Sequence, residues 1–377
     1  MPQVAMYNCL SYNLLPHETI DVSLIKVYNE NPLSNSTDEL EKFLLDTTSI
    51  KLALVHITDD LNSTKTRLDR LIGCTQVIVK GVEFKAGVPE LVLKYDLPNF
   101  VFILNGYLNF ELQHATVDQD LYWIKSTTDP YIKDWGHVLE KNLHPFDKKP
   151  FMFDVLYGVP KSHRMFVKKK LQTIADPTWY YESPVFVKPG ADSKNWAGFN
   201  FDQTDLWEDN MEINIEQTYR CRYRGKEMHI SQVLPLKIYN KTAYSIVMET
   251  WADNRYSFFT EKIAKPILGR RLFVVISGQH FLRNLRQLGF KTFDGIIDES
   301  YDSIQESTTR WAKAIEQTKW LCQQPQEKIL SQIAPIVIHN FAVLSNLRLS
   351  PVDEYAEKFL IQNGCASKGT VYESDNR

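Results

Sequence analysis

The alternation of apolar and polar positions is clearest between Tyr244 and Asp298. Tyr244–Met248 is a short aromatic and β-branched run closed by polar residues, which predicts a strand. Thr260-Glu261-Lys262 stands at the head of a helix predicted over Glu261–Leu268 and ended by Gly269. Leu272–Ile276 is apolar throughout, as expected of a parallel strand buried on both faces. Phe281, Leu282, Leu285 and Leu288 share one face of a helix predicted over Gln279–Leu288, which Gly289 stops. Strand, helix, strand, helix is a βαβ repeat, in which ligands bind beyond the carboxyl ends of the strands. Thr260-Glu261-Lys262 occupies such an end.

The same alternation runs through the rest of the chain. Thr19–Tyr28 reads as extended, and Thr37–Leu45 as a helix capped by Ser36 or Thr37. Lys51–Thr58 is a buried strand followed by Asp59 and Asp60, Ser63–Ile72 a helix, and Gln76–Lys80 and Asn99–Leu104 strands. Together they predict a first α/β domain over residues 1–145, with the polar, Pro-punctuated Asp129–Pro150 as the crossover. A second α/β domain over 146–350 opens with a strand at Phe151–Leu156 and a helix at Met165–Ile174. Asp176–Tyr219 reads as an irregular, aromatic-rich loop, and Ser307–Cys322 and Gln326–Phe341 as helices. The segment 351–377 predicts a helix, Pro351–Gln362, packing back across the domain junction, and a disordered tail from Gly364.

A length of 377 residues accommodates two such cores, and 44% hydrophobic with 24% charged residues is ordinary for a globular chain. A net charge of −3 removes any bulk attraction to nucleic acid or membrane and leaves only a local basic groove. The five cysteines are scattered and form no CxxC pair, which fits reduced thiols in a cytoplasmic protein. Met1–Leu15 lacks the basic start and apolar core of a signal peptide. No apolar run reaches the about 20 residues of a membrane helix, so no membrane span is expected.

Several clusters have the makings of a site. Lys161, His163 and Arg164 open a helix after a strand and a Gly/Pro turn, where free N–H groups and a guanidinium suit a phosphate; the same pattern also describes an ordinary turn with solvated cations. Arg220, Arg222, Arg224 and Lys226 alternate at strand spacing, which would put four charges on one face, either a solvated edge or a contact for an anionic acceptor. His56, Asp59 and Asp60 end a buried strand, a position for a catalytic base, although Asp59 or Asp60 equally suits a helix cap. Asp118-Gln119-Asp120 is a DxD triplet expected on a loop, and no metal site is assigned.

The stretch from Tyr244 to Ser277, with Glu249, Phe259 and Thr260-Glu261-Lys262, resembles the donor-binding stretch of the α-1,3-fucosyltransferase family. Thr250 stands where that pattern has Asn, and Pro266 interrupts what is there a continuous helix. His163-Arg164, Phe258–Ile267, Leu288–Phe293 and Ile297–Asp302 together are similar to glycosyltransferase-like proteins of tailed bacteriophages and large viruses. The resemblance implies two Rossmann-like α/β domains facing across a cleft (the GT-B type), with a nucleoside-diphosphate sugar as donor and no other cofactor. It implies donor binding by His163, Arg164, Glu249, Thr260, Glu261 and Lys262, Glu261 holding the ribose and Lys262 and Arg164 the diphosphate. It further implies metal-independent, inverting transfer, with a base in the first domain for which His56, Asp59 and Asp60 are the candidates. The acceptor would be a glycan or small hydroxyl compound, or a 5-hydroxymethylpyrimidine in DNA contacted by Arg220, Arg222 and Arg224. A non-catalytic nucleotide-sugar-binding protein is the third possibility. A viral chain would work in the host cytoplasm.

Overall fold

A computed structural model describes residues 3–10, 20–32, 37–48, 50–58, 60–81, 87–157, 160–173, 176, 179–182, 211–213, 220–347 and 352–365. The chain divides into two compact units, Met1–Tyr122 with Arg348–Arg377, and Trp123–Leu347. The boundary therefore falls at Tyr122, ahead of the expected crossover. Much of that crossover is helical instead: a π-helical turn over Pro130–Asp134 follows the helix Tyr122–Asp129 and precedes Gly136–Asn142.

The first unit is built on β1 (Val4–Cys9), β2 (Ile25–Asn29), β3 (Ile50–His56), β4 (Gln76–Gly81), β5 (Phe100–Leu104), a short β6 (Gly106–Leu108) and β7 (Thr116–Gln119). Six of these form one parallel sheet in the order β2-β1-β3-β4-β5-β7. The strands are short apolar runs because both faces are covered. On one face α1 (Asp38–Leu45) sets Phe43 against Tyr7 and Tyr28, and α2 (Leu61–Leu71) and α3 (Val88–Lys94) follow, with Tyr95 stacked on Phe100. On the other, the C-terminal helix packs Val352, Ala356, Phe359 and Leu360 against Val4, Met6, Leu52, Leu54, Ile78, Val101 and Ile103. Asp21 N–H donates to the Cys365 carbonyl, and Cys365 is buried, so the order expected to end at Gly364 continues through Cys365.

After α4 (Tyr122–Asp129) and α5 (Gly136–Asn142), the second unit carries β8 (Phe151–Val155), α6 (Ser162–Leu171) and β9 (Tyr180–Glu182). Three antiparallel strands follow, β10 (Met211–Ile213), β11 (Arg220–Tyr223) and β12 (Lys226–His229), then α7 (Leu236–Tyr239) and β13 (Thr242–Met248). The chain continues through β14 (Tyr256–Phe258), α8 (Glu261–Leu268), β15 (Phe273–Ile276), α9 (Phe281–Gln287), α10 (Ser307–Cys322) and α11 (Gln326–Ser345), while α12 (Val352–Gln362) belongs to the first unit. A second parallel sheet runs β15-β13-β8-β9. Both units are thus α/β with Rossmann-like parallel sheets.

A buried ion pair crosses the second sheet. The Arg271 guanidinium donates to Asp154 Oδ1 at 2.9 Å, to Ser245 Oγ at 3.1 Å and to the carbonyls of Tyr239, Thr242 and Tyr244. Both residues are 2% exposed. The pair joins β8, β13 and the entry to β15, and the extra hydrogen bonds offset the desolvation that makes isolated buried charges unfavourable.

One expectation needs correction. Arg220 to Lys226 is not one extended face: Arg224 and Gly225, with φ of 49° and 79°, form the two-residue turn between β11 and β12. Lys226 lies on the returning strand and pairs with Asp134. The helix α11 is 20 residues long and apolar enough to cross a membrane by length and composition alone, although polar residues interrupt it throughout. Its buried residues Ile329, Ile333, Val337 and Leu344 recur at helical spacing, and it packs on α8.

Arg271→Met leaves Asp154 buried without its cation and should destabilise the protein by about 3–5 kcal/mol, whereas Asp154→Leu combined with Arg271→Met should cost less than the single change. Urea unfolding followed by tryptophan fluorescence checks this; a double variant weaker than the single one would contradict it.

Candidate functional site

The strand order of the second sheet reverses between β8 and β13, and ligands of open parallel sheets bind outside the carboxyl ends of strands at such a switch point. Lys161 is the N-cap of α6, His163 and Arg164 lie in its first turn, and Glu249, Thr250 and Trp251 follow β13 directly. Glu261 and Lys262 form the first turn of α8.

Glu249 holds these pieces together. Its side chain is fully buried and accepts from Thr250 N–H at 3.0 Å, Thr260 N–H at 3.3 Å and Thr260 Oγ1 at 2.6 Å. Its carbonyl accepts from His163 Nε2 at 2.8 Å and from the Arg164 guanidinium at 3.3 Å. Thr260 in turn caps α8, accepting from Lys262 N–H at 3.2 Å. One residue at the end of β13 therefore orients the starts of both α6 and α8. Burial raises the Glu249 carboxyl above the usual range, outweighing Lys262 and the Thr260 bond.

Three cations converge there. The Lys161 ammonium donates to the Thr250 carbonyl at 2.7 Å and lies 4.1 Å from the Trp251 ring centroid. Lys262 donates to Thr250 Oγ1 at 2.9 Å and pairs with Glu261. Arg164 is buried, which lowers its guanidinium from the ordinary value while Glu249 and Glu261 oppose the shift. Burial also pushes Glu261 up, but Lys262 and Lys265 outweigh it and hold the carboxyl below the usual range. His163 is forced down to about 4, first by burial and then by Arg164, Lys161 and Lys262, so its ring is neutral at neutral pH. An electropositive cluster, two helix N-termini and a carboxylate able to accept hydroxyls can hold an anion joined to a polyhydroxylated group.

All six residues expected to bind a donor are thus brought together: His163, Arg164, Glu249, Thr260, Glu261 and Lys262. Glu249, His163 and Thr260 act inward as braces, Arg164 and Glu261 are buried, and Lys262 retains part of its surface. Trp251 and the Thr250 hydroxyl join the cluster unforeseen; their signal was their place directly after Glu249. The later motif residues have internal tasks. Glu299 accepts from Thr292 and Phe293 N–H and pairs with Arg286, and Asp302 accepts from Leu282 and Arg283 N–H at the start of α9. Gly278 is required where a Cβ would overlap the Asp253 carbonyl.

The other candidates lie elsewhere. In the first unit His56 ends β3, in register with Lys80, and Asp60 accepts from Asn62 N–H at 3.0 Å as the cap of α2; Asp59 is outside the described residues. Asp118 and Gln119 belong to β7, not to a loop, and Asp120 is buried and paired with Lys80 at 3.1 Å. His56, Lys80 and Asp120 occupy the carboxyl edge of that sheet, adding Lys80, which the sequence pattern did not single out. Arg224 is exposed in the β11–β12 turn, away from any row with Arg220 and Arg222, which sit on β11. No protein-family model, curated protein or solved structure matches the chain.

A depressed His163 makes stability depend on pH. The unfolded imidazole takes a proton near the ordinary 6.5 and the folded one only near 4, so its contribution is intact above 6.5 and is lost as pH falls toward 4. Compared with His163→Gln, the wild type should lose on the order of 3 kcal/mol over that window, measured by unfolding at stepped pH. Parallel curves for the two proteins would contradict the assignment.

Proposed function

We propose that the second unit binds a nucleoside-diphosphate sugar and that the protein is a GT-B-type glycosyltransferase. The observation that carries this reading is the convergence of Lys161, Arg164, Lys262 and Glu261 at the carboxyl-end switch point of a parallel sheet. The likeness of the Thr260-Glu261-Lys262 stretch to fucosyltransferase donor sites supports it. Glu261 accepts the ribose hydroxyls, and Lys262 and Arg164 neutralise the diphosphate.

In the proposed step an acceptor hydroxyl oxygen attacks the anomeric carbon, and the bond from that carbon to the diphosphate oxygen breaks. The nucleoside diphosphate leaves with the electron pair, and the acceptor proton passes to a general base. The anomeric configuration inverts. Cationic side chains preorganised where the leaving group gathers charge can serve in place of a divalent metal. The base is assigned to the carboxyl edge of the first unit's sheet, with His56 as first candidate. A glycan or small hydroxyl compound is the proposed acceptor. The DNA alternative rests on the likeness to phage proteins and on a basic groove including Arg220, Arg222 and Arg224, of which Arg224 lies in the β11–β12 turn and not on the strand.

Incubation with UDP- and GDP-sugars, with CMP-sugars as a monophosphate control, should release sugar or transfer it from a diphosphate donor; a protein inert toward all of them and binding no nucleotide would refute the reading. Lys262→Ala removes a half-buried ammonium that donates to Thr250 Oγ1 and pairs with the buried Glu261, so thermal unfolding measured beside the titration shows that the fold persists. Its affinity for the matching nucleoside diphosphate should drop by about ten- to a hundredfold, the equivalent of about 1.5–3 kcal/mol, in calorimetric titration. Unchanged affinity would remove Lys262 from the site.

A further inference from the structure

Lys161 precedes α6 and points its ammonium at groups that carry no full negative charge, the Thr250 carbonyl and the Trp251 ring. The charged groups that face it are Arg164 from α6, Lys262 from α8, and Glu249 at the end of β13. The first two are cations, and the Glu249 carboxylate is already engaged by Thr250 and Thr260. Glu261 pairs with Lys262 and also faces Arg164, which leaves Lys161 beside two cations with no carboxylate of its own, and an arriving diphosphate relieves that repulsion.

We propose that Lys161 is a third cation of the diphosphate site and takes up a proton as the anion binds, coupling donor affinity to pH. The inference rests on the reading of this cluster as a diphosphate site. Burial, then Arg164 and Lys262, hold the Lys161 ammonium down to about 8 against the opposing pull of Glu249. A bound anion reverses that balance and raises it. The sign follows: affinity is level while Lys161 is charged in the empty site and falls as pH rises through 8, by about tenfold per pH unit until the bound form also titrates.

UDP and GDP are suitable probes because the second ionisation of their terminal phosphate, near about 6, is complete below this range. Calorimetric titrations from about pH 7 to 9.5, each in two buffers of different ionisation heat, read affinity and proton uptake together. The wild type should lose about fivefold in affinity between pH 8 and 9, approach tenfold per unit above that, and take up close to one proton at the upper end. Lys161→Arg keeps a charge that does not titrate in this range, so it should bind with level affinity and no uptake; Lys161→Met should bind weakly throughout. Wild-type binding without proton uptake, or the same pH slope in Lys161→Arg, overturns the role of Lys161 and leaves the diphosphate reading standing. Failure of the wild type to bind either nucleotide at any pH overturns both.

Discussion

The second unit depends on burying one carboxylate, that of Glu249, at the end of a parallel strand. Placing a charge there is unfavourable unless its oxygens are satisfied, and three donors from Thr250 and Thr260 meet that requirement. The same residue's carbonyl receives His163 and Arg164. The consequence is geometric: β13, α6 and α8 cannot shift relative to one another without stranding a buried polar group. A ligand arriving at the switch point meets cations whose positions are set in advance, and preorganisation of this kind is what makes fixed charges effective toward a developing negative charge.

Further polar contacts hold the surroundings of that clamp. Arg271 and Asp154 lock the middle of the sheet from beneath. Arg310 and the Trp311 indole both donate to the Ser277 carbonyl, tying α10 to the end of β15, and Trp311 lies against His163 and Phe166 of α6. Asp302 secures the start of α9 and Glu299 the turn that follows that helix. Acidic residues in Ile297–Asp302 that look like chemistry in a linear reading are helix caps and turn braces. Their charge answers backbone N–H groups that otherwise have no acceptor.

The first unit uses a similar economy at the carboxyl edge of its sheet. Apolar rows under α12 give way, toward the strand ends, to Asn8, His56, Lys80 and Asp120. Lys80 and Asp120 neutralise each other while buried, an arrangement that replacement by apolar residues would often match in stability. The same sheet takes its last layer from the far end of the sequence, since α12 supplies Val352, Ala356, Phe359 and Leu360 to the core around β1 and β3.

Much of the second unit was legible from local pattern. The helix Glu261–Leu268 and the helix Ser307–Cys322 fall on their expected bounds, and the strands expected at Tyr244–Met248 and Leu272–Ile276 are displaced by at most two residues, because each is a periodic or apolar run closed by a cap, a glycine or polar residues. The residues of the candidate site were legible too, since they cluster at the ends of those runs. What sequence did not reveal depends on partners distant in the chain. Val4–Cys9, a central strand, is a mixed run of six residues whose burial comes only from β2, β3 and the helices on either face. The turn at Arg224-Gly225 breaks an alternation that by itself reads as one strand, because left-handed φ at two successive positions is settled by the hairpin's pairing. Period and capping are properties of neighbours and are written in order along the chain. Whether Asp120 meets Lys80, or Glu249 meets Thr260, is decided where strands that are remote in sequence come into register, because hydrogen bonds and buried charges require a partner in space.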